Sequence, residues 1–197
     1  MKRIFTIIAC TFLLGTVSAQ DFQTNIKTAK SSYQAGKLED AHFALQKAMQ
    51  ELDIQIGKEI VKLLPLKLDT LVANANNDNI SGNNGFAGAT IERTYEKSGK
   101  KAEINIISNS PMIALLNTYI NNPALMQSMD GSTKVLKLQG YKAKLERRDA
   151  GDGKFEYVLE VPLGSALISF KVQNSNENEI ITLANSIPLQ QIAKLIQ

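Results

Sequence analysis

Residues 90–122 constrain this chain more than any other stretch. Thr90 to Lys97 alternates in polarity, with Ile91, Arg93 and Tyr95 on one side, and Lys101 to Ile107 alternates again through Ala102, Ile104 and Ile106. Ser98-Gly99-Lys100 lies between them, so the period of two and the turn residues predict a β-hairpin. Ser110-Pro111 then offers a helix N-cap followed by proline at the first helical position, where its missing N–H costs nothing. Met112, Leu115, Leu116, Tyr119 and Ile120 recur at helical spacing. A hairpin feeding a helix must bury one face of each against the other, and the rest of the chain has to be built around that pair.

Downstream the hairpin pattern repeats. Ala124 to Met129 reads as one more helical turn, and Lys134–Leu138, Lys142–Arg148, Phe155–Val161 and Ala166–Val172 read as strands separated by Gln139-Gly140, the Asp149–Lys154 loop and Pro162-Leu163-Gly164. Consecutive hairpins make an antiparallel meander. Residues 177–184 and 188–196 are helical in period and cap the sheet. Strands in a block with helices at its ends define an α+β fold.

Upstream, 21–64 is helical in period and interrupted at Gly36-Lys37. Ala29, Gly36, Leu38, Ala41, Leu45 and Ala48 describe two helices meeting through small residues, with Leu38 and Leu45 filling the crossing. The second helix continues through Leu52, Ile56, Ile60 and Leu63, a stripe that faces the sheet or zips to a second copy. Gly57 weakens it by about 1 kcal/mol relative to alanine, and Pro65 ends it. Leu66 to Ala73 reads as a first strand and 74–84 as a long polar connecting loop. The organisation expected is a leader over 1–19, a helical hairpin over 20–65 and an α+β domain over 66–197.

The leader reading rests on Lys2-Arg3, an apolar run from Ile4 to Leu14, and the small-residue exit Val17-Ser18-Ala19. It predicts an exported protein, periplasmic or extracellular, cleaved after Ala19 and without a transmembrane span. Ile7-Ile8-Ala9-Cys10 would be a lipid-attachment box, but hydrophobic residues continue past Cys10, which favours simple cleavage. The cleaved chain then has no cysteine and must be held by its core. Of 22 basic and 19 acidic residues, Lys2 and Arg3 leave with the leader, so the mature chain carries about +1. Without a basic stripe interleaved with aromatics, a nucleic-acid partner is disfavoured.

Catalytic chemistry finds little to work with. His42 is the single histidine, and with no cysteine in the cleaved chain, zinc and copper sites and Ser-His-Asp or Cys-His arrangements have no ligands or base to draw on. Ser98 and Lys101 have a serine–lysine spacing but fall on a hairpin tip. The carboxylate pairs Asp149/Asp152 and Glu156/Glu160 would serve a hydrolase, although turn and strand-face residues are their ordinary reading. No cofactor or metal is expected.

Residues 29–48 resemble a single tetratricopeptide-like helical hairpin. Leu63-Leu64-Pro65, Gly85-Phe86-x-Gly88-x-Thr90, Tyr95, Ser110-Pro111 and Asn122-Pro123, in that order, resemble a group of small secreted bacterial proteins of unassigned function, over roughly 60–197. The resemblance implies export and an α+β fold and no mechanism. Asp69-Thr70-Leu71 also resembles the short site at which some bacteria attach sugars to exported proteins.

The function expected is a non-enzymatic binding or protein-interaction module of the cell envelope, working with an envelope protein or as a homodimer. The alternatives are a carrier for a small apolar ligand held by Met112, Leu116, Leu125 and Met126, and a carboxylate-dependent hydrolase, which has least support. The surface residues singled out for contact are Asn83, Phe86, Tyr95 and Arg147.

Overall fold

The structure is a computed structural model that describes residues 17–82, 88–122 and 131–196. The leader run, Cys10, Asn83, Phe86 and the extra helical turn over 124–129 lie outside the described residues. The fold is α+β. Its two compact units are Met1–Glu51 and Leu52–Gln197.

The first unit holds α1 (Val17–Gln34) and the start of α2 (Leu38–Leu63). Gly36, at φ +73, makes the turn between them, in a left-handed conformation that glycine adopts without a Cβ clash. The residues this hairpin buries are Ala29, Ala41, Ala44 and Ala48. Leu38 and Leu45 do not fill the crossing as the sequence suggests; they are 63% and 47% exposed. Helices meeting through alanines approach too closely to seat leucines between them, so the leucines lie on an adjacent face.

In the second unit the boundary falls inside α2 and not at Pro65, because the last turns of that helix belong to the sheet's core. Ile60 and Leu64 are buried there with the strands, and Ile56 and Leu63 pack against them. The strands are β1 (Lys67–Leu68), β2 (Leu71–Ala73), β3 (Asn79–Ser81), β4 (Thr90–Lys97), β5 (Lys100–Ile107), β6 (Thr133–Leu138), β7 (Tyr141–Asp149), β8 (Phe155–Leu163) and β9 (Ala166–Val172). They form one antiparallel sheet in the order β1-β2-β4-β5-β9-β8-β7-β6, with β3 also on β4. The expected meander is β6 to β9, and the central hairpin joins it through β5 on β9, which sets Ile104 opposite Phe170.

Two of the hairpin turns read from sequence are two-residue turns. Ser98-Gly99 and Gln139-Gly140 have positive φ at both residues, the two-residue geometry whose twist matches the flanking strands. The first expected strand is instead two short ones, because Asp69 turns at φ +53 and folds Leu71 back onto Leu68. The polar stretch after Asn74 is not a connecting loop throughout. It makes a 3-10 turn at Ala75–Asn77 and then β3, whose Ile80 pairs with Ile91.

One sheet face carries Ile91, Tyr95, Ile104, Ile106, Leu145, Leu159, Val161, Ile168 and Phe170 into the main core. There α4 (Glu177–Ala184) supplies Ile180 and Leu183, and α5 (Leu189–Ile196) supplies Leu189 and Ile192. Asn176 caps α4 by accepting from the Glu179 N–H at 3.1 Å. On the other face α3 (Met112–Asn121) packs Leu116 and Ile120 onto Leu167. Lys142 donates to Asn121 of α3 at 2.6 Å.

Candidate functional site

Of the four residues chosen from sequence, the two among the described residues, Tyr95 and Arg147, do not share a surface. Tyr95 is in the interior, fully buried on β4, with its hydroxyl donating to the Pro65 carbonyl at 2.9 Å. Burial pushes this phenol up to about 12, against an opposing pull from Arg93. The alternation of β4 that was read as a sheet pattern puts it there, so contact with a partner through Tyr95 would require opening the core. Arg147 is exposed, its guanidinium 5.0 Å above the Phe155 ring. With Lys134, Tyr157 and Glu177 it borders a recess of about 80 Å³, room for a few waters. Asn83 and Phe86 lie outside the described residues.

Beside Tyr95 is a buried cluster that sequence reasoning missed. Arg93, 3% exposed, donates from Nε to Asp78 Oδ1 at 2.8 Å and from Nη2 to Asp78 Oδ2 at 2.5 Å. Its Nη1 donates to the Leu64 carbonyl at 2.8 Å. The guanidinium thus satisfies a carbonyl at the end of α2, where the helix dipole favours a cation, and clamps the chain between β2 and β3. Its hydrogen bonds to the Asp78 carboxylate hold the Arg93 pKa above its ordinary value. Every Arg93 nitrogen is used inside the protein, so the cluster is architectural. The available signal was one arginine within an apolar alternation, a position that demands a buried anion.

The outward face of β7 and β8 carries a charge ladder. Lys144 bridges Glu146 and Glu160, each at 3.0 Å, and Arg148 donates to Glu146 at 2.7 Å. The Arg148 hydrogen bond leads in holding Glu146 below the usual carboxylate range. A hydrolytic acid needs its proton held near neutral pH, and Glu146 is held in the opposite direction. Asp149 accepts from the Gly151 N–H at 2.8 Å and closes its own loop. Among the described residues no group of three or more histidine, cysteine, aspartate or glutamate side chains is placed to hold a metal ion. Of the residues named for a carrier, Leu116 is core, Met112 is exposed, and Leu125 and Met126 lie outside the described residues.

A second cleft, of about 210 Å³, opens beside β4, β5 and β9, where Glu96, Lys101, Glu103 and Lys171 meet. Lys171 pairs with Glu103 at 3.2 Å. Thr70, the residue of the sugar-site resemblance, is exposed between β1 and β2.

Among the described residues, the largest concentration of exposed apolar side chains is on the helical hairpin. Ile26 and Tyr33 of α1 and Leu38, Phe43, Leu45 and Met49 of α2 range from 38% to 69% exposed. At 100° per residue, Leu38, Leu45 and Met49 fall within about 40° of one another, a quarter turn from the alanine seam. A polar cleft lined by Asp21, Thr24, Asn25, Lys47, Gln50 and Glu51 draws on both helices and marks the opposite side. His42 is exposed within the apolar stripe. This arrangement offers apolar area on one side and a polar cleft on the other.

No family model, no curated protein and no solved structure matches the chain. Among the described residues no helix is long and apolar enough to cross a membrane.

Proposed function

We propose that this chain is a non-enzymatic protein-interaction module that acts after export, and that its working surface is the apolar face of the α1–α2 hairpin. The observation that carries the reading is the inversion of size in that hairpin. Its buried residues are alanines, while Ile26, Tyr33, Leu38, Leu45 and Met49 face outward. Large side chains held out on a regular helical surface are available to a partner, and apolar residues at helical spacing are how a helical surface recognises another helix. The charge ladder and the Arg93–Asp78 pair support a binding role in a different way, since their charged groups are committed to one another.

Export is supported by the basic start, the apolar run to Leu14 and the Val17-Ser18-Ala19 exit. N-terminal sequencing of protein recovered from the producing cell is expected to begin at Gln20. The contact surface is tested by replacing Leu45 with a photo-crosslinking residue in that cell. A discrete adduct that is absent when the same residue replaces Gln50 is expected, and equal, diffuse labelling at both positions would contradict the proposal.

A further inference from the structure

We infer that the occupant of the hairpin's apolar face is a second copy of this chain, the two hairpins pairing into an antiparallel four-helix bundle. The inference rests on the interaction reading above and names its partner.

Spacing is the first argument. On α2, Leu38, His42, Leu45 and Met49 recur at intervals of four, three and four, and on α1, Phe22, Ile26 and Tyr33 recur at intervals of four and seven. That is the period of a seam built to receive knobs from a facing helix. Handedness is the second. On α1 the exposed Ile26 and Tyr33 lie roughly 50° from the buried Ala29, and on α2 the leucine stripe lies roughly 90° from the buried alanines. Both offsets have the same sign, and because the helices run in opposite directions both stripes fall on one side of the hairpin. The polar cleft of Asp21, Asn25, Lys47 and Glu51 on the other side agrees with this. A helix pair with both apolar stripes on one side is half of a four-helix bundle.

Level and area select a second copy. Counted from the turn at Gly36, Ile26 lies level with Leu45 and Tyr33 with Leu38. A two-fold axis along the helices sets α1 of one copy against α2 of the other, so large residues meet at both levels with every neighbour antiparallel, and the surface is self-complementary. Taking roughly 200 Å² for a large apolar residue, the exposures of Ile26, Tyr33, Leu38, Leu45 and Met49 correspond to about 550 Å² per hairpin. Pairing two copies removes about 1,100 Å², just past the size at which a specific interface begins.

The test uses the full chain, produced with its own leader and recovered after export. Sedimentation equilibrium from about 1 to 100 μM is expected to show twice the monomer mass, with a dissociation constant in the micromolar range. Leu45→Glu and Met49→Glu are each expected to weaken association at least roughly tenfold, with the circular dichroism of the sheet unchanged. Gln50→Lys, on the polar side, should leave the dimer intact. A photo-crosslinker at Ile26 in a mixture of ¹⁵N-labelled and unlabelled chains is expected to give an inter-chain adduct at Leu45 or Met49. A monomer throughout, whose Ile26 crosslinker instead captures one different protein, would overturn the second copy and leave the interaction reading standing. A monomer with no adduct, or with an adduct to residues 4–14 of its own chain, would overturn both.

Discussion

The hairpin and the sheet unit handle apolar residues in opposite ways. In the sheet unit Tyr95, Phe170, Ile60, Leu68, Ile91, Ile104 and Leu159 are below 2% exposure, and burial of each such side chain is worth roughly 1.5–3 kcal/mol. Among the described residues of the hairpin the buried ones are four alanines, each adding about a methyl group's worth, while Ile26, Tyr33, Leu38, Leu45 and Met49 are exposed. Two helices with an alanine seam have little to offset their ordering entropy, since helical stability comes mostly from packing an amphipathic face. The sheet unit therefore buries its apolar surface internally, whereas the hairpin leaves most of its large apolar side chains exposed. Binding is to be looked for where the core is unfinished.

That contrast can be broken from either side. The largest effect is expected at Arg93, where Arg93→Met leaves Asp78 buried without its cation and the Leu64 carbonyl without its donor, at a cost of roughly 3–5 kcal/mol in urea unfolding of the sheet unit. The double variant Arg93→Met, Asp78→Leu should recover much of that loss, because it is the lone charge that is costly. Next is alkaline pH. Tyr95 ionises at its ordinary value of about 10 when unfolded and near 12 when folded, so its contribution is full below pH 10 and is lost as pH rises toward 12. A fall of roughly 2–3 kcal/mol over that window is expected, and Tyr95→Phe should lack it.

Gly57→Ala follows. Helix propensity alone would make it stabilising, but a Cβ there would sit 2.7 Å from Ile80 Cγ2 and 3.2 Å from Ile91 Cγ1. A net loss of roughly 1–2 kcal/mol is expected from the overpacking, measured as a lower unfolding midpoint. The smallest effect belongs to the other region. Leu45→Ser should move the sheet unit's unfolding free energy by no more than about 0.5 kcal/mol, and a shift as large as that of Gly57→Ala would show that the hairpin is not energetically separate.

What was legible in the sequence follows the same division. The central hairpin, the β6 to β9 strands and the two C-terminal helices could be read because each is set by local signals: alternation, Ser98-Gly99 and Gln139-Gly140 turns, and the helical spacing of Ile180, Ile181, Leu183, Ile192 and Leu195. β3 could not be read, since Asn79-Ile80-Ser81 has a single apolar residue and is held by distant ones, Arg93 through Asp78 and Gly57 through Ile80. Gly57 itself reads as a weak point in a helix when it is the place where a strand comes close. Tyr95 was grouped correctly with Ile91 and Arg93 on one strand face, yet alternation alone does not say which face of a strand is buried. On α2 the periodicity shows two adjacent stripes, alanine and leucine. Periodicity does not say which turns inward, and the choice of the alanines is what creates the candidate site.

The most direct test of the contrast is amide hydrogen exchange of the exported chain at two concentrations, well below and well above the expected dissociation constant. Protection of residues 60–81 and 90–107 should be high and the same at both, as a finished core requires. Protection of 21–49 should be low in the dilute sample and rise with concentration as the apolar face becomes covered. Equal, concentration-independent protection of the two regions would contradict the account, because it would mean that the alanine seam holds the hairpin without a partner.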